Sequence, residues 1–174
     1  FAGKFDFYGI RGLRLGVSGY HGKTQAVDGR NQIPGSEIGV SMLGIDGRYT
    51  YKKFSARGQY ALASLIDTDL YNELTGRDLG SKLMGYYLEA AYNVLPFKNR
   101  QRLEGFVRYE NFNTHHEVGN IVLKNKAFHR KEWTFGFSYH IAPGAVYKMD
   151  YQTKSTAISN STKGQFNMGV GIWF

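Results

Sequence analysis

Cysteine is absent from this chain of 174 residues, so no disulfide framework, thiol nucleophile or Cys-ligated metal is open to it. Proline is scarce, at 3 residues, which leaves backbone ladders almost uninterrupted, because each proline removes one amide donor. No stretch approaches the about 18 consecutive apolar residues that a membrane-spanning helix needs, a test that is blind to strands. The chain also lacks a charged N-terminal region followed by an apolar run, so the expectation is either a mature chain or a piece of a longer one.

What the sequence does have is 13 Tyr, 12 Phe and 22 Gly. Aromatic side chains suit a pleated surface and glycine suits turns and close packing, so residues 1–174 are read as one all-β domain. The 22 Lys and Arg against 14 Asp and Glu give a net charge of +8, which raises the question of an anionic partner. These cations are spread over turns, loops and strands with no basic stripe, so nucleic acid is excluded as a partner.

Period-two alternation dominates, in segments of about ten residues, the length of a tilted strand that crosses a bilayer. The last segment is the clearest: Phe166, Met168, Val170, Ile172 and Phe174 share one face. Trp133, Phe135, Phe137, Tyr139 and Ile141 form a similar row, as do Ala145, Tyr147, Met149 and Tyr151, and Pro143-Gly144 between these segments reads as a tight hairpin turn. The same alternation runs upstream through Leu103 to Tyr109, Met84 to Val94, Phe54 to Leu62, Leu43 to Tyr49, Leu13 to Val17 and Phe1 to Tyr8. Connections are short at Ile10 to Gly12, Tyr51 to Lys53, Phe97 to Arg100 and Ala142 to Gly144. Long polar loops are expected at Lys23 to Ser36, Asp67 to Ser81 and Thr114 to Arg130, with an intermediate link at Ile158 to Thr162. Short turns on one side and long loops on the other predict an antiparallel up-and-down transmembrane β-barrel, its long loops outside the cell.

Alternation alone does not distinguish a soluble, lipocalin-like barrel with an apolar interior from a membrane barrel with an apolar exterior. Aromatics at the ends of the apolar rows (Tyr49, Phe54, Tyr92, Trp133, Tyr151, Phe174) fit an interfacial girdle, and polar rows of mixed charge fit a wet lumen. A terminal Phe174 closing the row that starts at Phe166 resembles the signal recognised by outer-membrane assembly machinery. About nine strands are expected, so the first and last run in the same direction and do not close as an antiparallel pair; even strand numbers are the rule in such barrels. The expectation is therefore the C-terminal portion of a larger barrel.

Three stretches carry a family resemblance: Gly12 to Tyr20 with Gly22-Lys23-Thr24, then Glu104 to Glu110, and finally Gln165 to Phe174. In order and spacing they resemble the C-terminal half of phosphate-selective porins of the O and P type. That resemblance implies a sixteen-stranded barrel, a homotrimer or other membrane assembly, and passive diffusion of small anions including phosphate across a bacterial outer membrane. Its lipid and lipopolysaccharide, and the barrel-assembly machinery, are the further partners implied. The family's constricting loop belongs to its N-terminal half and has no match here.

Seven cations sit on the polar rows as pore-lining, anion-binding candidates: Arg14, Arg48, Arg57, Arg102, Arg108, Lys148 and Lys154. Fixed guanidinium and ammonium groups replace an anion's hydration shell, and Arg forks match phosphate oxygens, with Arg57 and Arg108 the leading choices. Asp46, Glu89, Glu104, Glu110 and Asp150 share those rows, so cross-strand pairing that only holds the wall together is the competing role. A non-channel structural or docking barrel is the alternative function. Enzyme chemistry would need a constellation that Ser138 and His140 alone do not supply. His115-His116 near Glu117 are candidate metal ligands, and Asp67, Asp69, Asn72 and Glu73 candidate calcium ligands, but solvated loop residues are the reading preferred for both groups; no cofactor and no metal is expected.

Overall fold

A computed structural model describes residues 1–28, 31–96, 101–159 and 162–173. Nine strands follow one another: β1 (Ala2–Ile10), β2 (Leu13–Asp28), β3 (Asn31–Tyr51), β4 (Phe54–Ile66), β5 (Lys82–Asn93), β6 (Arg102–Glu117), β7 (His129–Ala142), β8 (Ala145–Thr156) and β9 (Lys163–Ile172). They form one sheet in sequence order, every neighbour antiparallel. An all-β, up-and-down architecture is therefore what the chain adopts. With an odd strand count, β1 and β9 lie at opposite edges and run the same way. Phe174, the expected end of the terminal apolar row, lies outside the described residues, as do the Phe97 to Arg100 turn and Asn160 and Ser161 of the last link.

Register carries the alternation from strand to strand. On one face Phe5 pairs with Val17, Val17 with Ile45 and Ile45 with Tyr60, followed by Tyr60 with Tyr86. Further along, Leu88 meets Tyr109, Tyr109 meets Trp133, Phe135 meets Tyr151 and Tyr151 meets Phe166. The opposite face is polar with the same continuity: Arg14, Arg48, Arg57, Glu89, Arg108, Thr134, Gln152 and Gln165 are successive partners across β2 to β9. A slip of one residue at any ladder would swap the faces of a strand, so this pattern and the register specify each other. Tight turns fix it locally. Gly144 has φ of 86° and its missing Cβ leaves room for the Trp173 carbonyl, which a side chain would approach to 2.5 Å.

Three expected loops are differently built. Lys23 to Ser36 is mostly strand: β2 runs to Asp28, β3 starts at Asn31, and the ladder continues through Lys23–Gly39, Thr24–Ile38 and Gln25–Glu37. The polar, Gly- and Pro-bearing sequence concealed this, because its strand character depends on a partner distant in sequence. That partner is α1 (Thr68–Thr75), a helix inside the expected Asp67 to Ser81 loop. Tyr71 of α1 packs with Ala26, Ile38 and Val40, bordered by Ile33, Leu65 and Leu79, and these form the buried hydrophobic cluster of the described residues. The helix covers the polar-row side of β2 and β3 beyond their charged residues. The Asn72 side chain braces it, donating to the Leu79 carbonyl at 2.9 Å and accepting the Leu79 amide at 2.8 Å. In the third loop, Thr114 to Arg130, β6 continues to Glu117, a one-turn 3-10 helix spans Lys126–Phe128, and β7 starts at His129.

Tyr71→Ala is expected to release α1 without unfolding the sheet. Loss of a buried aromatic costs about 3 kcal/mol, so amides 71–76 should exchange hydrogen on the order of a hundredfold faster, read by exchange mass spectrometry. Leu70→Ala, at a half-exposed position, should leave those rates unchanged.

Candidate functional site

The sheet curls toward its polar face. Side chains from β3 through β8 line one cleft of about 610 Å³, among them Arg48, Arg57, Arg102, Arg108, Lys148 and the carboxylates Glu89, Glu104, Glu110 and Asp150. Five of the seven cations expected from the sequence meet there. Arg14 lies one strand away in a smaller recess shared with Arg48 and Arg57. Lys154 stands on the same face nearer the far end of β8 and donates to Gln165 Oε1 at 2.9 Å.

Glu89 organises the centre of the cleft. Its carboxylate accepts Arg57 Nε at 2.7 Å and Nη2 at 3.0 Å from β4, and Arg108 Nε at 2.8 Å and Nη2 at 2.6 Å from β6. One carboxylate thus sits between two guanidinium forks, the geometry that favours charge-assisted hydrogen bonds. Arg108 also approaches Glu110 at 3.8 Å and lies 5.5 Å from the Tyr87 ring centroid. The two leading anion-binding candidates therefore line the cleft with much of their charge already answered.

A second ionic group holds the β1–β3 side together. Arg14 donates to Asp46, while Lys4 reaches Asp6 at 3.3 Å and Asp46 at 3.4 Å. Toward β7, Arg102 pairs with Glu104 at 3.3 Å and contacts His140 Nε2 at 3.1 Å. Carboxylate and amide groups also link β7 to β8 and β8 to β9: Gln152 donates to Glu132 at 2.6 Å and Asn167 to Asp150 at 2.8 Å.

Arg48 and Lys148 differ. Both line the cleft, and among the described residues neither makes a hydrogen bond or ion pair. Arg48 is a direct ladder partner of both Arg14 and Arg57, so three guanidinium side chains run across adjacent strands, the outer two paired and the middle one open. Lys148 faces Ser138 on one side and Gly169 on the other. Of the five cations that line the cleft, these two have no carboxylate partner among the described residues.

The other sites weighed from sequence resolve into structure. His115 is fully buried: its Nδ1 accepts the Asn125 amide at 3.3 Å, so its Nε2 carries the proton and donates to the Asp78 carbonyl at 2.8 Å. With both nitrogens used and Phe128 packed 4.2 Å from the ring centroid, this histidine pins the β6–β7 connection. Asp69 accepts the Asn120 amide at 3.1 Å, tying α1 to that same connection. Among the described residues no hydrogen bond joins Ser138 to His140, whose Nε2 instead faces Arg102 and Glu104.

Glu89 was visible in the sequence as a polar-row carboxylate, but its bridging role needed the register. Placing Arg57, Glu89 and Arg108 on one rung would have revealed it.

No family model matches the chain. An uncharacterized protein of Aquifex aeolicus (strain VF5) is 27% identical over 156 residues, covering 87% of this chain and 36% of that protein. The chain thus spans about a third of the length of the relative it matches.

Glu89→Gln should lower stability by about 2 kcal/mol, the loss of hydrogen bonds to a charged, largely shielded group. Arg48→Gln should change it by less than about 0.5 kcal/mol, as for an unpaired surface residue. Urea titration of the folded protein distinguishes the two.

Proposed function

We propose that this chain is part of an outer-membrane β-barrel, a porin through which small anions, phosphate among them, diffuse passively. The observation that carries the reading is the distribution of polarity: a continuous apolar face turned outward and a charged cleft turned inward. Leu88, Met168 and Val170 are 64%, 64% and 69% exposed. Some twenty large apolar side chains of that face are exposed in the same way, and at about 1.5–3 kcal/mol per buried side chain the unused burial exceeds the about 5–15 kcal/mol net stability of an ordinary domain. A soluble barrel would turn that face inward. A bilayer gives it apolar surroundings while the backbone stays paired strand to strand.

Closure needs more chain. Because β1 and β9 run the same way, an antiparallel seam requires an odd number of additional strands, and the nine here with seven more would make the sixteen-stranded barrel that the sequence resemblance implies. The much greater length of the matched relative is compatible with such an addition.

Anion preference rests on Arg48 and Lys148, which offer positive charge that no carboxylate neutralises. A fixed cation in a narrow wet passage stabilises a partly dehydrated anion. The extensive pairing of Arg14, Arg57 and Arg108 favours a second reading, a non-channel docking or structural barrel whose ionic face serves only to hold its wall.

Bilayer recordings of the full-length protein separate these readings. The porin should conduct with a reversal potential on the anion side, Arg48→Gln/Lys148→Gln should reduce that preference, and Glu89→Gln should increase it by freeing two guanidinium groups. Absence of conductance, or cation preference in the unmodified protein, would overturn the proposal.

A further inference from the structure

The apolar face is not uniform. Gly47 pairs directly with Gly58, and Ala56 with Ala90, so four small residues across β3–β5 leave a trench of about 570 Å³. Leu13, Tyr49 and Leu88 border it, and Tyr109, its ring tilted against Trp133 with 4.7 Å between centroids, forms a further wall. Leu88 leans over one floor residue, its Cδ2 2.7 Å from where a Cβ on Gly58 would stand, and Leu15 Cδ2 comes to 3.3 Å from the same point on Gly47. The open part of the trench lies beside them, over Ala56 and Ala90.

Its charged neighbourhood lies at one end. The trench opens toward the edge that carries the β1–β2 and β3–β4 turns, Arg11-Gly12 and Lys52-Lys53. These turns contain three cations and no carboxylate. The acidic residues Asp67, Asp69, Glu73 and Asp78 belong to the opposite edge. Lys52 holds its ammonium 5.2 Å from the ring centroid of Tyr51, a residue of the same face as Tyr49, which brings the charge to the rim of the apolar surface. Arg11 is two residues from Leu13 and Lys52 three from Tyr49, so at no more than about 3.6 Å per residue neither backbone lies farther than about 7–11 Å from the trench lining.

We infer that the trench is a binding site for an anionic phospholipid, with its acyl chain over Ala56 and Ala90 beside Leu88 and its phosphate against Arg11 and Lys52. The inference rests on the membrane reading above and adds a lipid class and a site to it. An apolar slot alone would take any acyl chain; the one-signed turn edge selects a headgroup of net negative charge. Each cation near an anionic headgroup is worth roughly a fivefold gain in binding. An acyl chain also fills a gap that would otherwise forfeit dispersion contacts along both walls.

The test uses the full-length protein reconstituted in phosphatidylcholine bilayers containing a minor fraction of phosphatidylglycerol, then extracted in mild detergent, with retained lipid counted by native mass spectrometry. Phosphatidylglycerol should be retained about fivefold or more above its share of the bilayer. Arg11→Gln/Lys52→Gln should abolish that enrichment while lipid of either class is still carried, and Ala90→Phe, which fills the trench, should reduce retention of both. Insertion with no enrichment, enrichment unchanged in the double variant, or a second copy of the chain lost on Ala90→Phe in place of lipid, would each overturn the inference and leave the porin reading intact. Failure to insert into any bilayer would overturn both.

Discussion

Everything in this structure depends on the antiparallel register running without a break from β1 to β9. Side chains alternate with a period of two, so registered ladders are what keep Phe5, Val17, Ile45 and Tyr60 on one face and Arg14, Arg48, Arg57 and Glu89 on the other. The consequence is an unusual division of labour. The buried hydrophobic cluster of the described residues is confined to the neighbourhood of α1; apart from a few such as Phe106 in the cleft and buried Val146, the large apolar side chains lie on the opposite face of the sheet. Cohesion within the sheet comes from backbone ladders, cross-strand aromatic contacts such as Tyr109 with Trp133, and ion pairs on the inner face.

Those ion pairs have two consequences that pull apart. Glu89 between Arg57 and Arg108 binds three adjacent strands into one rung, which strengthens the wall and lowers the charge offered to a solute. Arg48 and Lys148 do the reverse: they leave their charge to the cleft and gain nothing from neighbours. A wall built this way can be electrically near balance and still present a locally positive path, since what an ion experiences is the uncompensated charge within a screening length of about 8–10 Å. On the porin reading proposed above, the cleft's preference follows from which cations lack a partner, more than from how many there are.

Most of the fold was legible in the sequence because it depends on local alternation and on turn chemistry. The β7–β8 hairpin around Pro143-Gly144 and the apolar row of β9 are of this kind. The β2–β3 extension and α1 were not legible, for a shared reason: each is stabilised by the other across more than thirty residues, with Tyr71 seated on Ala26, Ile38 and Val40. Polar, glycine-bearing segments with no apolar partner nearby read as loops, and the partner here is supplied by tertiary packing. The cleft was half legible. Row membership identified Arg48, Arg57, Arg102, Arg108 and Lys148 as facing one way, but only the register separates Arg57, bound by Glu89, from Arg48, which is bound by nothing described.

Because residues 1–174 contain no cysteine, a single thiol introduced among them has no native competitor there, and β7, flanked by strands on both sides, has a regular alternation against which to measure. The decisive measurement is labelling of single cysteines placed at Phe135, Phe137, Ser138, Tyr139 and His140 in the membrane-reconstituted protein, using a polar, membrane-impermeant maleimide; Glu132 and Thr134 are left out because packing buries them. Fast labelling at Ser138 and His140, with protection at Phe135, Phe137 and Tyr139, is the result expected if the apolar face meets hydrocarbon and the polar face meets water. Equal labelling at all five positions, or protection of Ser138 and His140 with labelling of the aromatic positions, would contradict it.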